Sequence, residues 1–158
     1  MLSLAIVWNN AIDFTDEIIK DMKESVNVYC SFKLALGEQY KNFVYNIYSG
    51  EEIQKIDKKY NSMISCQNKE VAVILFEFDS NNIIFNQFKK KYVYEDLDNL
   101  KYYIRTKYSK LVDNYVFDNI FHCTDDENEC LCDLRTINGF LDAHTSINKE
   151  FYEKVFRK

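Results

Sequence analysis

The segment Asn119-Ile120-Phe121-His122-Cys123-Thr124-Asp125-Asp126-Glu127-Asn128-Glu129 sets one of the chain's two histidines between a short apolar run and an acidic stretch. Thr124 is placed to cap a helix, Glu127 stands three residues on at the capping-box position, and the acidic first turn complements the positive end of the helix dipole. A histidine at such a junction suits phosphate chemistry. A neutral imidazole can attack phosphorus, a covalent intermediate divides one difficult transfer into two, and a carboxylate on the second ring nitrogen fixes the tautomer. The competing reading is an idle histidine at a strand end, its ring satisfied by a neighbouring carboxylate. His144 has no comparable surroundings and reads as a surface residue.

Other chemistries are open to the same residues. His122 and Cys123 with Cys130-x-Cys132 offer imidazole and thiolates, which zinc favours. However, Cys130 and Cys132 stand about 200° apart on a helix of about 3.6 residues per turn, so no metal site is expected; Cys130 should pack in the core and Cys132 near the surface. Asp125, Asp126, Glu127 and Glu129 can hold Mg²⁺, but such a run more often faces solvent at a helix start. Twelve Tyr and twelve Phe offer stacking surfaces and read as core and rim residues.

With 158 residues and 47% hydrophobic composition, residues 1–158 predict one domain with a substantial core. The net charge of −5 excludes a general nucleic-acid binder, so any affinity for phosphate must be local. Lys89-Lys90-Lys91, Lys101 and Arg105 are the candidates for such a basic site, although each taken singly reads as a solvated helix face. Five scattered cysteines and an apolar start without a basic leader lead us to expect a cytoplasmic protein. No apolar run approaches the roughly 20 residues needed to span a bilayer. There is no proline and there are only three glycines, so Asn9-Asn10, Asn81-Asn82 and Asp113-Asn114 are the expected turn makers.

The elements that must position these groups follow from periodicity. Residues 2–8 predict a strand, and Thr15 opens a helix with Phe14, Ile18, Ile19 and Met22 on one face. From Val26, strict alternation places Val28, Cys30, Phe32, Leu34 and Leu36 on one face of a half-buried strand. Tyr40 to Tyr48 and Ile53 to Ile64 predict a helical hairpin, and Val71 to Phe78 a central strand covered on both faces. Residues 82–91 and 96–109 predict helices and Tyr115 to Phe121 a last strand. Leu131, Leu134, Ile137 and Leu141 give the following helix its buried stripe. This order predicts an α+β domain: a ferredoxin-like, antiparallel four-stranded sheet with packed helices.

The segment Asn119-Ile-Phe-His122-Cys-Thr-Asp125 resembles the signature of the nucleoside diphosphate kinases, a strand ending in Asn-x-x-His-Gly-Ser-Asp before a helix. The resemblance extends to Leu4-Ala-Ile-Val-Trp with Asp16-Glu-Ile-Ile-Lys-Asp-Met, to Val71-Ala-Val-Ile-Leu-Phe-Glu, and more faintly to Thr145-Ser146, Asn148 and Tyr152-Glu153, in all about half the chain. It implies a phosphotransferase in which His122 takes a phosphoryl group from a nucleoside triphosphate and hands it to a diphosphate, with Mg²⁺ on the nucleotide. The family's orienting acid would be Asp133, eleven residues on; Asn119 and Arg105 would bind sugar and phosphate, and Lys89 or Lys90 would stand in for a further phosphate-binding arginine. Homo-oligomers are also implied, although the proline-bearing oligomer loop has no counterpart. The chain departs from the family at Trp8-Asn9-Asn10, where a Lys-Pro-Asp would supply a cation, and at Cys123, where glycine follows the histidine. The alternative expectation is a catalytically degenerate module that keeps the fold and binds a nucleotide or a protein partner.

Overall fold

The structure is a computed structural model that describes residues 1–66, 68–79, 81–113, 115 and 119–141. Strand β1 (Leu2–Val7) leads through a 3₁₀ turn (Asn9–Phe14) into α1 (Thr15–Met22) and then β2 (Asn27–Ala35). Helices α2 (Tyr40–Ile47) and α3 (Ile53–Met63) follow, then β3 (Glu70–Glu77). Strands β4 (Ile83–Asn86) and β5 (Lys91–Tyr94) precede α4 (Glu95–Tyr108), β6 (Phe121–Cys123) and α5 (Glu127–Phe140). The main sheet has the order β2-β3-β1-β6 with every pairing antiparallel, and β4 and β5 pair separately. This is the expected ferredoxin-like α+β arrangement, with a hairpin added between β3 and α4.

The sheet is covered on both faces. Leu4 and Ile6 of β1 and Trp8 just after it, with Val71, Val73 and Leu75 of β3, pack against α2, α3 and α5. Ala5, Val7, Ala72, Ile74 and Phe76 pack on the other face against α1 and α4. Alternate side chains of an interior strand therefore serve two cores, which is why β3 is almost continuously apolar. No helix among the described residues is long and apolar enough to cross a membrane.

Three expectations are corrected. Residues 82–91 are not helical. Ile83-Ile84-Phe85 and Tyr92-Val93-Tyr94 pair in a hairpin, because β-branched and aromatic residues favour a pleated surface. Asn86 Oδ1 accepts from the amides of Phe88 (3.0 Å) and Lys89 (2.9 Å) to turn the chain, and Lys90 takes the left-handed conformation at φ 53°. Second, β2 does not keep its apolar residues on one face. A bulge between Val28 and Cys30 turns Val26 and Val28 toward the α1/α4 side, while Cys30, Phe32 and Leu34 face α2 and α3. Third, the last strand among the described residues comprises Phe121–Cys123, so His122 lies within it, while residues 116–118 of the expected strand lie outside the described residues. The expected residues Asn114, His144, Thr145, Ser146, Asn148, Tyr152 and Glu153 lie outside the described residues.

Candidate functional site

His122 pairs with Ile6 across β1 and β6 and so points to the face covered by α2, α3 and α5. The stripe of α5 that packs there is Cys130, Asp133, Leu134 and Ile137, which keeps the expected Leu134 and Ile137 and has Cys130 in place of Leu131. Packing of the three apolar members carries the fourth, a carboxylate, onto the imidazole. His122 Nε2 lies 2.8 Å from Asp133 Oδ2, and each side chain keeps only 7% of its surface exposed. Against an ionised carboxylate, which only accepts, a neutral imidazole has its proton on Nε2 and its lone pair on Nδ1. No hydrogen bond to Nδ1 is formed among the described residues.

The helix start is built differently from expectation. Asp126, not Thr124, is the N-cap: its side chain accepts from the Glu129 amide at 2.8 Å, and Glu129 accepts from the Asp125 amide at 2.6 Å. Thr124 is buried, and its hydroxyl meets Ser3 Oγ (2.9 Å) and the Leu4 amide (3.1 Å), extending the β1–β6 junction. Cys123 lies on the α1/α4 face, opposite to His122, so its side chain stays off the histidine's side. Cys130 is buried on the histidine's side and Cys132 is exposed.

Around His122 the packing is aromatic. The Tyr48 ring and the imidazole are T-shaped, with ring centroids 5.3 Å apart and planes at 81°. The indole of the fully buried Trp8 donates to the Tyr48 hydroxyl at 3.1 Å. Above the Tyr48 ring, 3.9 Å from its centroid, lies the ammonium of Lys59, which also meets both Glu51 carboxylate oxygens at 2.8 and 2.9 Å. Asn9 ties the end of β1 to the helical hairpin, donating to the carbonyls of Met63 (3.1 Å) and Asn68 (2.7 Å) and accepting from Tyr40 (2.6 Å).

Lys59 also lines a cleft of about 1060 Å³ between α3, the β4–β5 turn, α4 and the start of α5. Lys55, Lys58, Lys59, Lys89, Lys91 and Arg105 face it, against Glu51, Glu52 and Asp125. This is a local basic surface on an acidic chain, and a concave one focuses its field on anions. Lys101 is no solvated residue. It is 4% exposed within the buried stripe of α4 and bonds Asp125, whose carboxylate also meets Lys89 (3.0 Å) and Lys91 (2.8 Å). Burial alone would raise the Asp125 pKa, but the ammonium of Lys101, joined by Lys91 and Lys89, outweighs it and holds the carboxyl well below the usual range.

Of the expected site residues, His122 and Asp133 are in direct contact. Arg105 donates to the carbonyl of Phe121, next to His122, at 3.0 Å and lines the cleft with Lys89. Asn119 is buried, its amide donating to Ser62 Oγ at 3.0 Å in the last turn of α3. Lys89 binds Asp98 (3.2 Å) as well as Asp125. The sequence reading passed over Tyr48 and Lys59. Lys59 sits in a Lys-Lys-Tyr run where spacing does not separate a buried lysine from its exposed neighbour.

No family model and no curated protein matches the sequence. The fold, by contrast, is similar to solved structures. One is a transition-state mimic of nucleoside-diphosphate kinase from Borrelia burgdorferi with bound vanadate and ADP, 11% identical at a TM-score of 0.53, with 94% of each chain covered. Another is the nucleoside diphosphate kinase of Aquifex aeolicus, 12% identical at 0.51, covering 86% of this chain and 93% of that one. A nucleoside diphosphate kinase family protein from Babesia bovis is 10% identical at 0.51, covering 96% and 99%. Likeness over nearly the whole length, with so little identity, is a likeness of backbone path, and the chain is a divergent domain with the nucleoside diphosphate kinase fold.

Proposed function

We propose that the protein is a nucleotide-dependent phosphotransferase working through phospho-His122. The observation that carries this reading is the 2.8 Å contact between His122 Nε2 and Asp133, which leaves the Nδ1 lone pair for attack. In the first step Nδ1 bonds to the γ-phosphorus of a nucleoside triphosphate as the bond to the β,γ-bridging oxygen breaks, and the nucleoside diphosphate leaves. In the second step a diphosphate oxygen takes the phosphoryl group and the imidazole returns to neutrality. Asp133 holds the Nε2 proton throughout and stabilises the positive ring between steps. Arg105 and Lys89 attract the phosphates into the cleft, and Asn119 braces the strand entry to His122. Mg²⁺ enters as part of the substrate, because Asp125, a half-buried carboxylate of the cleft, is already engaged by three ammonium groups.

Incubation with γ-labelled ATP and Mg²⁺ tests the reading. Acid-labile, base-stable label that disappears in His122→Ala is the expected result, and absence of label at any pH sinks it. Thermal stabilisation by nucleotide without phosphohistidine would instead mark a binding module that has lost the transfer step.

A further inference from the structure

Lys59 is only 6% exposed, so its charge is almost entirely withdrawn from water and needs oxygen partners to persist. Two of these come from one group, the oxygens of Glu51, whose side chain lines the cleft and is 37% exposed. The pair is therefore lopsided: the cation is fixed and the anion can return to solvent. The ring of Tyr48 lies under the ammonium and stands nearly perpendicular to the His122 ring, so cation and imidazole rest against one aromatic ring. The cations that draw phosphate into the cleft have partners of their own. Lys89, Lys91 and Lys101 surround Asp125, and Arg105 holds the Phe121 carbonyl. The end of β1 contributes an indole and no charge.

We infer that Lys59 is the residue that contacts the non-bridging oxygens of the phosphoryl group transferred to His122, and that the Glu51 carboxylate holds this seat until the nucleotide displaces it. Two carboxylate oxygens on one ammonium have the same chemistry as two phosphate oxygens on it, and the exchange trades a mobile anion for one carrying more charge. A cation placed where charge develops acts on the transfer step itself, not only on binding. The assignment rests on the proposed transfer to His122, and its test separates the two.

Affinities for MgATP and for adenosine, together with the rate of His122 labelling, are measured in the wild type, Lys59→Met, Lys59→Arg, Glu51→Gln and Glu52→Gln. Lys59→Met should weaken MgATP by about tenfold, leave adenosine unchanged, and slow labelling on the order of 10²-fold. Lys59→Arg should recover part of both losses. Glu51→Gln should tighten MgATP severalfold, and by more than Glu52→Gln, which takes the same charge from the cleft lining without releasing Lys59. Weaker MgATP binding by a folded Glu51→Gln protein, a gain no larger than that of Glu52→Gln, or wild-type behaviour of Lys59→Met, overturns the assignment. If the wild type binds MgATP without labelling, the transfer reading fails, and Lys59 is judged on the contrast between MgATP and adenosine. If it binds no MgATP, both fail.

Discussion

Trp8 and Tyr48, forty residues apart, are joined by an indole-to-phenol hydrogen bond of 3.1 Å, and their rings lie 5.7 Å apart at 32°. The bond fixes the tyrosine that supports both His122 and Lys59. Trp8→Phe keeps an aromatic ring but removes the donor and part of the volume, and should cost about 1–3 kcal/mol. A double-mutant cycle with Tyr48→Phe, read by urea unfolding, should give a coupling of about 0.5–1.5 kcal/mol. Strict additivity would show that the hydrogen bond contributes nothing.

Asp133 acts on His122 through orientation, so its removal should harm transfer more than folding. We expect Asp133→Ala to slow His122 labelling on the order of 10²-fold while costing about 1–3 kcal/mol of stability. Asp133→Asn retains shape but admits the wrong ring tautomer, and should be nearly as slow. Labelling by Asp133→Asn at the wild-type rate would remove the carboxylate from the mechanism.

Asp125 makes the protein acid-sensitive in a stated direction. Its folded pKa is depressed below the ordinary value of 3.8, so its contribution is fully present above that value. The contribution is lost as pH falls from there toward the lower folded value, because the unfolded chain takes up the proton first. Asp125→Asn should remove this acid-dependent component and, by leaving the buried Lys101 without its anion, cost on the order of 3 kcal/mol at neutral pH. The comparison is made by denaturation at pH 7 and across the acid range, and a variant with an unchanged acid limb would contradict it.

The cysteines should separate by reactivity. Burial pushes the Cys130 thiol up to about 12 and raises Cys123 too, whereas Cys132 is exposed. Maleimide labelling of the native protein followed by peptide mass analysis should find Cys132 first, with Cys123 and Cys130 modified only on unfolding. Early modification of Cys130 would show that α5 opens away from the sheet.

The strands and most helices were legible because their residues follow a single burial rule: β3 is apolar throughout, and α2 repeats Tyr40, Phe43, Val44 and Ile47. The misreadings occurred where two rules compete. Ile83 to Tyr94 has apolar residues that pair in a hairpin while remaining largely exposed, so neither periodicity marks it. At the start of α5, Thr124, Asp125 and Asp126 are all able caps, and what excludes Thr124 is its bond to β1, which lies 120 residues away in sequence. His122 stood out by its neighbours, and Asp133 by its interval. Lys59 could not stand out, because its distinction lies in Tyr48 and Glu51, and a helical spacing does not reveal what lies above it.

The bulge in β2 has a consequence for how the sheet ends. Among the described residues β2 is one outer strand, and its pairing with β3 is irregular between Val28 and Cys30, where a bulge bends the strand. β6, the other, offers three residues. A foreign strand laid along either side would meet a bent or very short edge, so this strongly apolar sheet gives little template for extension into fibres.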